Sequence, residues 1–170
     1  MELEAFNAMD PDAALAAMIG CCAAESWAQA MVAGRPFGSL GELREKADEI
    51  AASLDPQDWL RAFAAHPLIG DVALLRARFA TAGDRANAEQ GQVLGASEAT
   101  LERLALLNRS YHERHGFIFI VCAKGQSAEA MLEALEARLP RSTDEELATA
   151  SQEQLKITHI RINDLFEPQP

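Results

Sequence analysis

Apolar residues recur at helical spacing along nearly the whole chain, and the breaks between those runs carry capping residues. Asp10-Pro11 pairs an N-cap with a proline at the first helical position and opens a helix towards Cys22. A second helical run covers Ala24 to Val32 and is broken by Gly34-Arg35-Pro36. Ser39 and Glu42 have capping-box spacing, ahead of a helix with Leu43, Ala47, Ile50 and Leu54 on one face. Asp55-Pro56 repeats the cap-plus-proline signal and starts a helix predicted to end at His66. Residues 67–85 are less regular, punctuated by Gly70 and Gly83, and a short helix is predicted around Glu89-Gln90. Ser97 caps a longer helix with Leu101, Leu104, Leu107 and Tyr111 on one face, closed by Gly116. Ser127 opens the next, which ends near Leu139-Pro140. Ser142 and Glu145 form another capping box, and the last helix runs to about Phe166.

One run breaks this pattern. Phe117-Ile118-Phe119-Ile120-Val121-Cys122 is β-branched and aromatic, and reads as a buried extended segment. No second such run offers a strand partner, so its buried backbone groups need others, some of which a ligand could supply. No internal repeat, low-complexity stretch or linker interrupts the chain, and 170 residues suit one compact domain. The expected fold class is therefore all-α: a single domain over residues 1–170 with one short extended segment near 117–122.

Charge narrows the partners. The formal net charge is −11 with no Lys/Arg stripe, which argues against nucleic acid. The acidic residues are dispersed, as on a solvated surface. No stretch reaches the apolar length of a membrane span, and the first ten residues lack the basic and apolar regions of a signal peptide. The segment Phe166 to Pro170 is no recognised address signal, so the cytoplasm is the expected location. Cys21, Cys22 and Cys122 are not spaced as a zinc site, and the first two read as small buried hydrophobes.

The candidate chemistry begins at His66-Pro67-Leu68-Ile69-Gly70. Proline disfavours helical backbone at the residue before it, so His66 should stand at a helix end rather than along a face. The helix dipole there would favour the imidazolium, and histidine is the side chain best suited to move protons near neutral pH. A solvated helix stop is the competing reading. Arg161 lies between Ile157 and Leu165 on one helical stripe. Either its stem packs while its head reaches water, or it clamps an anion through paired hydrogen bonds. Glu89 and Gln90 could orient a polar substrate, or simply form a solvated turn. His112 and His115 lie three apart, but no third metal ligand is apparent. The chain lacks a Gly-x-Ser-x-Gly elbow, a phosphate-binding glycine loop and a dinucleotide fingerprint.

Taken in order, several of these pieces resemble the 2-oxo-4-hydroxy-4-carboxy-5-ureidoimidazoline (OHCU) decarboxylases of urate breakdown. They are Trp27 with Gly34-Arg35-Pro36-Phe37, His66 to Gly70, Glu89-Gln90, Tyr111 with Gly116 to Ala123, and Leu155-Lys156-Ile157 before Arg161. The resemblance covers nearly the whole chain. It implies an all-helical bundle that converts a small anionic ureidoimidazoline to (S)-allantoin and carbon dioxide, with no cofactor or metal, as a homodimer. It further implies that His66 is catalytic and that Glu89 acts beside it. Pro67, Ala86, Gln90, Phe119, Ile120, Val121, Cys122, Ala123 and Arg161 would fall at substrate-contacting positions, those from Phe119 to Ala123 largely through backbone. Ala86 stands where the family commonly has Ser, and His115 where it has an aromatic residue. The alternatives are an inactive helical binding or regulatory relative, or a lyase for a different ureido acid.

Overall fold

Every cap anticipated among the described residues stands at a helix start. In the computed structural model these residues are 1–68, 72–77, 79 and 96–166. The helices are α1 (Leu3–Ala8), α2 (Pro11–Cys21), α3 (Glu25–Ala33), α4 (Leu40–Ala52), α5 (Pro56–Ala64), α6 (Glu98–His115), α7 (Ala128–Arg138) and α8 (Thr143–Phe166), with helical turns also over 72–77. Side chains of Asp10, Ser39, Asp55, Ser97 and Ser127 each accept backbone N–H groups of the first turn that they precede. Ser142 and Glu145 close a reciprocal box: the Glu145 N–H donates to Ser142 Oγ at 3.3 Å, and the Ser142 N–H donates to Glu145 Oε2 at 3.0 Å. Ser142→Ala should therefore lower stability by about 1 kcal/mol, read as a lower urea midpoint at unchanged slope. The Ser39 box is different. Its hydroxyl receives the Glu42 N–H, but the Glu42 carboxylate accepts from Gly38 rather than from Ser39.

The chain divides into two compact units, Met1–His66 with Leu147–Pro170, and Pro67–Glu146. In the first unit α3 packs on α2, α4 and α5. Its buried Trp27 donates its indole N–H to the Ala47 carbonyl at 3.1 Å. The pattern did not announce α1, a helix of six residues whose N-cap Glu2 makes no side-chain bond. Such a short helix is marginal alone and is held by tertiary contacts. Phe6 is fully buried, edge-on to Phe166 at 5.5 Å. Arg35 donates to the Phe6 and Met9 carbonyls at 2.7 and 2.8 Å, and Asn7 bonds both backbone groups of Phe37. The Gly34-to-Phe37 motif thus works as a clasp on α1.

Two boundaries moved. Helix α5 stops at Ala64, not His66, because Pro67 keeps His66 out of helical backbone. The His66 N–H bonds the Phe63 carbonyl at 3.0 Å in a tight closing turn. Leu54 falls beyond the end of α4 and is only half-buried.

In the second unit α6 packs on α7. Gly116 closes α6 with φ 78°, a left-handed conformation that suits glycine. Tyr111 is buried, edge-on to Phe117 and Phe119 at 5.9 and 5.2 Å. Residues 117–123 form no strand, and no strand occurs among the described residues; the fold is all-α. Phe117, Phe119 and Ile120 are buried, whereas Ile118, Val121, Cys122 and Ala123 are half-buried. Protein groups supply backbone partners here. Arg138 Nη1 donates to the Ile120 carbonyl at 2.9 Å, and Gln126 Nε2 donates to the Cys122 carbonyl at 3.0 Å. The same Arg138 pairs with Glu146 at 2.8 Å and lies over the Phe119 ring at 4.5 Å.

Candidate active site

The chemistry of the first unit gathers around the turn after α5. His66 is half-buried there, while Pro67 is exposed. The imidazole Nε2 lies 2.7 Å from Gln154 Oε1 on α8. Gln154 is fully buried and its amide reaches Thr158 Oγ1 at 3.4 Å, while the Thr158 hydroxyl donates to the Gln154 carbonyl at 3.0 Å.

This stripe differs from the one anticipated. Ile157, Arg161 and Leu165 are half-buried, and the buried face runs one position later in each turn: Ala150, Gln154, Thr158, Ile162 and Phe166. Two of those five are polar, which hides the stripe from an apolar-periodicity reading. Spacing at i, i+4 with an alanine, an isoleucine and a phenylalanine was the available signal.

Arg161 turns towards the end of α2, and its Nη1 donates to the Cys21 carbonyl at 3.3 Å. A guanidinium at a helix C-terminus meets unpaired carbonyls and the negative end of the dipole. It has five N–H donors, so one such bond leaves capacity for an anion. Among the described residues no carboxylate is ion-paired with Arg161.

The electrostatics follow from burial and this one cation. Desolvation holds the His66 imidazole below the ordinary histidine value, the Gln154 hydrogen bond pulls it part of the way back, and the Arg161 charge adds to the lowering. The imidazolium expected from the helix end is thus overturned. A helix terminus supplies about 0.3–1 kcal/mol to a charge on the surface, and taking that charge out of water beside another cation outweighs it. The buried Cys21 thiol is pushed up to about 11 by desolvation, against the pull of Arg161. Burial also raises Cys22, against the smaller opposing influences of the Ala24 backbone, the Thr158 side chain and Arg161. Both therefore stay neutral, as expected of small buried hydrophobes.

The remaining anticipated positions are placed as follows. Ala86, Glu89 and Gln90 lie outside the described residues. Phe119 to Ala123 belong to the second unit, where they form neither helix nor strand. The two ring nitrogens of His115 face Thr143 Oγ1 and the Leu139 carbonyl, each at 3.3 Å. Among the described residues no group of three or more candidate ligands converges.

The fold is all-α, and an uncharged, half-buried histidine near an arginine is an arrangement capable of acid–base chemistry on an anion. The family described as OHCU decarboxylase matches residues 7–163, and the chain belongs to it. It is 35% identical over 149 residues to the uric acid degradation bifunctional protein TTL of Arabidopsis thaliana, covering 86% of this chain and 45% of that protein, so it spans about half the length of that relative. It is 28% identical to the 2-oxo-4-hydroxy-4-carboxy-5-ureidoimidazoline decarboxylase of Haloferax volcanii, covering 98% of this chain and 96% of that one. A crystal structure of OHCU decarboxylase in the presence of (S)-allantoin superposes with a TM-score of 0.72 at 30% identity, covering 93% of this chain and 99% of that chain.

Proposed function

We infer that this chain decarboxylates OHCU to (S)-allantoin and that His66 moves the proton. The observation that carries the second part is the hydrogen-bonded, uncharged imidazole of His66 held near the Arg161 cation. In OHCU one ring carbon bears both the hydroxyl and the carboxylate. Breaking its bond to the carboxylate releases carbon dioxide and drives the electron pair into the neighbouring C=N system. The substrate therefore brings its own electron sink and needs no cofactor. One proton, ultimately from water, balances the lost carboxylate, and the hydroxyl proton is lost as that oxygen becomes a carbonyl. The neutral His66 first accepts the hydroxyl proton and then delivers it to one face of the ring carbon that becomes the stereocentre, while the proton from water goes to the ring nitrogen of the former C=N group.

The resemblance assigns the other roles. Glu89 orients the hydroxyl or the imidazole. Pro67, Gln90, the position of Ala86 and the backbone from Phe119 to Ala123 contact substrate, and Arg161 anchors its negative charge. Residues 1–170 then act as one domain, in a cytoplasmic homodimer that light scattering of the purified protein would test. No helix among the described residues is long and apolar enough to cross a membrane.

The decisive experiment is circular dichroism of freshly generated OHCU with and without the protein. Rapid growth of an (S)-allantoin signal is expected. Slow decay to racemic allantoin, unchanged by the protein, would overturn the assignment and favour an inactive relative or a different ureido acid. Arg161→Met should raise KM about ten- to a hundredfold, the equivalent of about 1.5–3 kcal/mol for a hydrogen bond to a charged group. Removing that cation also eases protonation of His66, so the acid limb of kcat/KM should move to higher pH.

A further inference from the structure

We propose that Gln154 is a positioning residue that fixes His66 as its Nε2–H tautomer, leaving Nδ1 as the atom that exchanges the proton with substrate. This rests on His66 being the proton-transferring group, and it settles which of its two nitrogens does the work. Nothing in the family resemblance pointed to Gln154.

The argument is a count of protons. The Thr158 hydroxyl has one, and the 3.0 Å bond to the Gln154 carbonyl uses it. Thr158 Oγ1 therefore meets the Gln154 side chain as an acceptor at 3.4 Å, so the atom facing it is the amide nitrogen. The amide oxygen must then face His66, at 2.7 Å. A carbonyl oxygen only accepts, and two lone pairs at that distance repel, so Nε2 carries the hydrogen. In the neutral ring Nδ1 then holds the lone pair. The nearby Cys22 thiol is itself neutral, so it offers no thiolate to compete for the Nε2 hydrogen.

The chain of contacts is also stiff. Gln154 is fully buried and Thr158 is 1% exposed, one turn apart on a long helix, so the amide cannot swing without breaking the network. Among the described residues the one charged group that acts on the His66 ring is Arg161, which opposes protonation; Cys21 and Cys22, near Arg161, are uncharged. A neutral acceptor opposite Nε2 suits this setting: it orients the ring without driving it to imidazolium. A carboxylate in the same place would orient the ring equally well and would hold the proton on it.

The test combines ¹⁵N NMR of protein labelled at the histidine nitrogens with pH–rate profiles of Gln154→Glu and Gln154→Leu. His66→Asn identifies the His66 signals. In the parent protein above the His66 pKa, Nε2 should resonate as a protonated nitrogen and Nδ1 as an unprotonated one. Gln154→Glu should keep that tautomer and move the acid limb of kcat/KM to higher pH. Gln154→Leu should lower kcat about ten- to a hundredfold with little change in KM, part of the ~10²–10⁴-fold that a positioned acid–base group is worth. A residue that merely fills space would not move the pH limb. Should the leucine variant fail to fold, the parent spectrum and the glutamate profile still decide. A parent spectrum with the hydrogen on Nδ1, or a glutamate variant with an unmoved limb, overturns the proposal. Full activity in His66→Asn would instead remove His66 from catalysis, a failure of the underlying reading, while the parent spectrum would still report what Gln154 does to the ring.

Discussion

His66→Asn is expected to lower kcat about 10²–10⁴-fold, the range of a positioned acid–base group, while the protein stays folded. Asparagine is the informative choice because its amide can still donate towards Gln154 Oε1, 2.7 Å from the native ring, so the buried acceptor is not simply abandoned. What the variant lacks is a group that titrates. Far-ultraviolet circular dichroism and the thermal midpoint should stay close to those of the parent, while single-turnover decarboxylation collapses. Near-parental turnover would exclude His66 from the proton transfer.

The parent's pH dependence follows from the same group. His66 titrates below the ordinary histidine value because burial and Arg161 disfavour its charged form. The working neutral ring therefore persists through neutral pH, and kcat/KM should fall only as pH drops through the depressed pKa. Stability has the same sign. As pH falls the unfolded chain takes up the proton first, so this contribution is complete above the unfolded value and is lost as pH falls through the folded one. His66→Asn should remove that share of the acid sensitivity, seen as a smaller loss of urea midpoint between neutral and mildly acidic pH.

What was legible in the chain was what depends on neighbours in sequence. Asp10, Ser39, Asp55, Ser97, Ser127 and Ser142 announced their helices because a cap and the N–H groups it receives lie within three residues of each other. The proline after His66 placed that ring at a helix end for an equally local reason. The charge state of His66 was not legible, since it depends on burial and on Arg161, 95 positions away. Gln154 was hidden for a related reason: glutamine on a helix reads as solvated until the i, i+4 ladder from Ala150 to Phe166 is seen to be buried. The non-helical run near 117–122 was set apart from the helices by its composition. Its partners were not legible, because Arg138 is a charged residue at the end of another helix and only the fold brings it to the Ile120 carbonyl.

Glu146→Ala should be the most destabilising single change in the second unit, by about 3–5 kcal/mol. The Glu146 side chain is 0% exposed, and its Oε2 takes both the Tyr111 hydroxyl at 2.6 Å and Arg138 Nε at 2.8 Å, while Arg141 approaches Oε1 at 3.4 Å. Tyr111 answers as expected, its phenol pushed up by burial and by the hydrogen bond to Glu146. Deleting the carboxylate strands the Arg138 guanidinium, whose side chain is only 8% exposed, with no counter-charge. Among the described residues its Nη2 already lacks a hydrogen-bond partner, so little reserve remains to absorb the loss. The ion pair itself is not the source of so large an effect, because its attraction is offset by the desolvation of both charges. The penalty comes from leaving one charge behind. A double change, Glu146→Leu with Arg138→Met, should therefore recover most of the stability that Glu146→Ala loses. Denaturant unfolding of the parent, the single variant and the double variant checks this directly. A double variant no more stable than the single would mean that the pair contributes by shape and hydrogen bonding to Tyr111 and Ile120, not by charge balance.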